Sequence, residues 1–99
     1  MVAAAREQAF ATARALAKVL RDRYGARRVV LVGSLARGDF RLGSDIDLVV
    51  EGLPEDALFR AGADLEALAG DIEVDLVPLE AATSAFVARA VAAEGIVLE

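Results

Sequence analysis

Three short strand-like runs constrain this chain most: residues 28–32, ending at Gly33; residues 46–50, closed by Glu51-Gly52-Leu53-Pro54; and residues 72–77, stopped by Pro78. Each is rich in β-branched residues, too short for a helix and bounded by glycine or proline, which is the pattern of a strand. The stretches around them repeat their apolar residues at helical spacing, so helix and strand alternate along the chain with tight connections. That order predicts an α/β (α+β) fold, a small sheet of three or four strands packed against helices. The 99 residues are enough for one such domain, residues 1–99, and leave no room for a second.

In the first helical stretch, residues 2–24, Phe10, Ala13, Ala17, Leu20 and Tyr24 form one stripe. Arg21 and Arg23 complement the dipole in its last turn, and Gly25 is a natural stop. Pro54 suits the first position of a second helix, with Glu55 and Asp56 in its first turn. Leu58, Ala61, Leu65 and Leu68 then line a face until Gly70. Residues 80–94 predict a third helix with Ala82, Phe86, Ala90 and Ala93 turned inward and Gly95 as its C-cap. Residues 96–98 would add a short edge strand. Tyr24 and Phe59 are expected in the core.

Composition narrows the chemistry. The chain contains neither Cys nor His. Disulfides, thiolate and imidazole metal sites and a Ser-His or Cys-His nucleophile are therefore excluded. Carboxylates, hydroxyls, arginine, the single Lys18 and bound metal remain. The net charge of −5 argues against holding a nucleic-acid duplex by charge, and suits cations or a basic protein partner. Arg6 and Glu7 interrupt the N-terminus before a signal-like apolar stretch develops, and no apolar run approaches the ~18–20 residues of a membrane span. A cytoplasmic, non-membrane protein is expected.

The chemistry concentrates between residues 33 and 47. A strand ends in Gly33-Ser34, ten residues intervene, and Asp45-Ile46-Asp47 opens the next strand. Gly33 permits close approach of the backbone to a ligand, the N–H groups after it suit an anion, and Ser34 adds a hydroxyl donor. Asp45 and Asp47 are two apart on a strand, so their carboxylates share a face. Like charges that close repel unless a cation lies between them, and an oxygen-only donor set favours Mg²⁺ or Mn²⁺. On the third strand Glu73, Asp75 and Val77 share one face, and Ile72, Val74 and Leu76 the other. If the second and third strands are neighbours, Asp75 completes a three-carboxylate site of the kind used for phosphoryl or nucleotidyl transfer. Acids placed within Ile46-Asp47-Leu48 and Val74-Asp75-Leu76 are expected to be costly to bury without such a role. Phe40 and Leu42 have two readings, contacts to a partner or packing into the core.

The Gly-Ser-x10-Asp-x-Asp pattern, with Ser34-x-x-Arg37-Gly38, Ser44-Asp45-Ile46-Asp47-Leu48 and the closing Glu94-Gly95-Ile96-Val97-Leu98, resembles the minimal nucleotidyltransferases of the polymerase β-like superfamily. The residue after Ser34, often polar in that family, is Leu35 here. The resemblance implies a nucleotidyltransferase-like mixed sheet, with a nucleoside triphosphate such as ATP as substrate. Its β- and γ-phosphates would be held by Gly33 and Ser34, with Arg37 a candidate for neutralising their charge. Two Mg²⁺ ions (or Mn²⁺) would be bridged by Asp45 and Asp47, with Asp75 as a further ligand and candidate base. It also implies an antitoxin paired with a HEPN-type toxin, to which some members transfer AMP, in a hetero-oligomer or homo-oligomer. A binding module that neutralises its partner without catalysis, and a transferase acting on small molecules, are the alternatives.

Overall fold

The computed structural model describes residues 2–41, 43–79 and 85–99. The expectations for Leu42, for Ala82 and for a helix start at Glu80 lie outside them. Helix α1 spans Val2–Tyr24, strand β1 Arg28–Val32, the single-turn helix α2 Ser34–Arg37, and strand β2 Ile46–Glu51. Helix α3 (Leu58–Ala69), strand β3 (Val74–Pro78), helix α4 (Ala85–Glu94) and strand β4 (Ile96–Val97) follow. The four strands form one mixed sheet in the order β3-β2-β1-β4. β1 runs antiparallel to β2 and to β4, whereas β2 and β3 are parallel. That parallel pair needs a crossover, and α3 supplies it.

Register divides the sheet into two unlike faces. Val29 pairs with Val50 and Leu31 with Leu48. Ile46 pairs with Val74 and Leu48 with Leu76. These residues turn toward α1 and α3 and form the core with Ala9, Ala13, Leu16, Ala17, Leu20, Leu35, Ala61 and Leu65. Phe40 is buried among them, which decides its role as packing. The α1 stripe centres on Leu16, with alanines 9, 13 and 17 at helical spacing giving the helix close approach to its neighbours. Phe10 and Tyr24 lie at its margins, partly buried. The Arg14 guanidinium covers the Phe10 ring at 5.3 Å, and the Tyr24 hydroxyl donates to Asp64 Oδ2 of α3. At the α1 C-terminus the Gly25 N–H donates to the Arg21 carbonyl at 3.1 Å and the chain turns with φ 74°.

Several expectations are corrected. Phe59, expected in the core, is 90% exposed, and Leu68 is 55% exposed, because the buried face of α3 carries only Ala61 and Leu65. Phe86 is 73% exposed and Ala93 is exposed, so α4 covers the sheet loosely rather than burying a continuous stripe. Pro54 precedes a 3-10 turn over Glu55–Ala57 instead of opening the helix, and β3 starts at Val74, two residues later than predicted. Gly95 follows α4 as expected, but for lack of space rather than for backbone handedness. A Cβ there would lie 2.5 Å from the Val91 carbonyl oxygen and 2.7 Å from Val30 Cγ1. Among the described residues no helix is long and apolar enough to cross a membrane.

Candidate active site

The second face of the sheet carries Val30, Val32, Asp47, Val49, Asp75 and Val77, the residues that alternate with the core positions. α4 stands over this face and leaves a cleft of about 530 Å³. Its floor holds Asp47, Asp75, Val49 and Val77, its α4 wall Val87, Ala90 and Glu94, and its end Gly33 and Arg37. Sequence patterning placed Asp45 and Asp47 on one face, and the parallel β2–β3 pairing supplies the third acid by setting Asp47 directly beside Asp75. One carboxylate oxygen from each of Asp45, Asp47 and Asp75 lies within 4.8 Å of the others.

The loop before β2 is held locally. The Ser44 Oγ accepts from the Arg41 N–H at 3.1 Å, and the Ser44 N–H donates to the Arg41 carbonyl at 2.9 Å. The Ile46 N–H, between the two aspartates, donates to the Glu73 carbonyl at 2.9 Å and ties their segment to β3.

The acids are not equally desolvated. Asp45 and Asp47 are half-buried, whereas Asp75 is exposed at the sheet's outer strand. The burial cost expected for Asp47 and Asp75 therefore falls on Asp47, and Asp75 escapes it by lying at the exposed edge. The Asp47 carboxyl is pushed up to about 6 by burial first, then by the charges of Asp75 and Asp45, with Arg37 opposing and Glu94 adding to the rise. Repulsion of this kind is relieved by a cation, and the donor set is carboxylate oxygen alone. The three residues thus fit a hard divalent ion such as Mg²⁺ or Mn²⁺.

The Gly33-Ser34 turn lies at the end of β1, one residue past the Val32–Asp47 pair. Gly33 adopts φ 82°, ψ −160°, a region open essentially to glycine. Ser34 opens α2, and its carbonyl accepts the N–H groups of Gly38 at 2.9 Å and Asp39 at 3.0 Å, closing the turn. Arg37, on the last position of α2, is brought to the cleft, with Nε 3.4 Å from Asp39 Oδ1 and Nη1 3.3 Å from Glu94 Oε2. Glu94 also accepts the Gly33 N–H at 2.5 Å. In the sequence Glu94 stood as a helix end and as the first residue of the closing Glu94-Gly95-Ile96-Val97-Leu98 run, with no role at the site. An acidic residue closing a helix, against the dipole, was a signal that could have singled it out as a site residue.

A strand-turn-helix carrying Gly-Ser, followed by an aspartate pair and a third acid on the neighbouring parallel strand, defines a nucleotidyl-transfer fold. The model of the nucleotidyltransferase domain matches residues 13–98. A solved structure described as a minimal nucleotidyltransferase shares 35% identity, with 92% of this chain and 93% of that one covered and a TM-score of 0.72. A toxin–antitoxin structure with AMP-PNP shares 28% identity at TM-score 0.74, covering 88% of this chain and 72% of that one. An MNT antitoxin in complex with the tri-AMPylated HEPN toxin of Shewanella oneidensis shares 26% identity at TM-score 0.68, covering 89% and 69%. No curated protein matches the sequence. The chain belongs to the nucleotidyltransferase domain family, and its likeness within that family includes the minimal nucleotidyltransferases.

Proposed function

We propose that this chain transfers AMP from ATP to a hydroxyl group of a partner protein, and that the partner is a HEPN-type toxin which it neutralises as an antitoxin. The observation that carries the proposal is the convergence of Asp45, Asp47 and Asp75 within 4.8 Å, beside the Gly33-Ser34 turn and with Asp47 and Asp75 on the floor of an open cleft. The likeness to a toxin–antitoxin structure with AMP-PNP and to an antitoxin bound to an AMPylated HEPN toxin supports the substrate and the partner class.

In this reading Gly33 and Ser34 seat the β- and γ-phosphates, and Arg37 neutralises their charge. Asp45, Asp47 and Asp75 hold divalent cations, which supply charge neutralisation for the attacking and leaving oxygens. Asp75, exposed at the sheet's outer strand, can meet a hydroxyl brought by another protein and take its proton. The acceptor oxygen then bonds to the α-phosphorus, the bond to the α–β bridging oxygen breaks, and pyrophosphate leaves with the electron pair.

Incubation with labelled ATP, Mg²⁺ and a HEPN-type partner, followed by mass analysis of the partner, tests the proposal. A mass increase of one AMP on a hydroxyl-bearing residue is expected. An unmodified partner that is nevertheless neutralised in complex would sink the catalytic part of it.

A further inference from the structure

Two of the three groups assigned above to the nucleotide's terminal phosphates, Gly33 and Arg37, are already held by one side chain. Oε2 of Glu94 accepts the Gly33 N–H at 2.5 Å and lies 3.3 Å from Nη1 of Arg37. From this we infer that Glu94 is an internal competitor for the phosphate seat, a carboxylate that stands where a β- or γ-phosphate oxygen must go and is displaced when a nucleoside triphosphate binds. The inference rests on the nucleotide reading of the site and adds to it what limits affinity there.

Three observations favour a stand-in anion over a simple brace. The Glu94 side chain is only 20% exposed, so a charged group is held largely out of water. It sits on the last residue of α4, where a negative charge opposes the helix dipole. It faces a cleft that already holds Asp47 and Asp75. A neutral glutamine could accept the Gly33 N–H without these costs. What glutamine lacks is the charge that a phosphate brings to Arg37. Displacement is also geometrically cheap, because Glu94 lies at the junction of α4 and Gly95 and its departure breaks no strand pairing.

A ligand that must evict an internal occupant binds more weakly by the ratio of seated to vacated forms. One charge-assisted hydrogen bond in competition with water corresponds to about tenfold. Calorimetry with Mg·ATP, Mg·pyrophosphate and AMP on the wild type and on Glu94→Gln tests this. Mg·ATP and Mg·pyrophosphate should bind the variant about tenfold more tightly, while AMP, which has no β- or γ-phosphate, should change by less than about twofold. Unchanged or weaker binding of Mg·ATP by Glu94→Gln would show that Glu94 braces the turn, and would overturn the inference. If the variant does not fold, the wild type decides through the ¹⁵N shift of the Gly33 amide. That resonance must move on saturation with Mg·pyrophosphate, and a fixed resonance in the saturated protein refutes displacement. Absence of any Mg·ATP binding by both proteins removes the nucleotide reading and this inference with it. Binding without the tenfold gain removes only the latter.

Discussion

A Cβ built on Gly33 would stand 2.1 Å from Oδ2 of Asp47 and 3.0 Å from its Cγ. The glycine of the Gly-Ser turn and the second aspartate of the pair are therefore matched in space. Gly33 lacks a side chain because its neighbour's carboxylate fills the position, in addition to any ligand that approaches its backbone.

This pairing makes Gly33→Ala doubly unfavourable, through the positive φ and through the clash. The cost to stability should be about 2–4 kcal/mol by urea denaturation. In an Asp47→Ala background the clash with the carboxylate is gone and only the backbone term remains, so the same substitution should cost at least about 1 kcal/mol less. Equal costs in the two backgrounds would show that Asp47 does not occupy that space.

The raised carboxyl of Asp47 has a pH signature in the metal-free protein. Its pKa lies near 6 when folded, against an ordinary value of 3.8. The native state thus binds the proton more tightly, and stability contributed by protonated Asp47 is full below pH 3.8 and lost as pH rises through 6. Asp47→Asn removes this loss. With allowance for solvent screening of a half-buried group, the variant should be more stable than wild type by about 1 kcal/mol at pH 7–8. The advantage should vanish near pH 4, as read by thermal melts without divalent metal. A destabilised Asp47→Asn at pH 7 would contradict the repulsion.

Asp75 and Ser34 should separate kinetically. Asp75→Asn is expected to lower turnover by orders of magnitude with only a modest loss of Mg·ATP affinity, because Asp45 and Asp47 remain. Ser34→Ala should instead weaken nucleotide binding and keep most turnover at saturating ATP. Full transfer activity from Asp75→Asn at neutral pH would remove Asp75 from the chemistry.

Gly95 is tested by crowding rather than by charge. Gly95→Ala would press a methyl group against the Val91 carbonyl and Val30 Cγ1, at a cost of about 1–3 kcal/mol. In a Val30→Ala background the cost should fall but not disappear, since the Val91 carbonyl oxygen stays at 2.5 Å. No coupling between the two positions in denaturation experiments would place the junction elsewhere.

Local features of this molecule were legible in the sequence because they depend on short-range geometry. The period of two put Asp45 with Asp47, and Asp75 with Val77, on single faces. Gly25, Gly33 and the apolar spacing marked where helices and strands end, and the absence of Cys and His confined a metal site to carboxylates. Tertiary structure alone decided which faces meet. The parallel pairing that sets Asp47 against Asp75 depends on a crossover through α3, and no local periodicity encodes strand order. Phe59 and Phe86 follow helical spacing as core residues would, yet both are exposed, because burial depends on what packs opposite and not on the helix that carries them. Glu94 is the clearest case. It is 61 residues from Gly33 and reaches that N–H only because β4 pairs with β1 and draws the end of α4 to the turn.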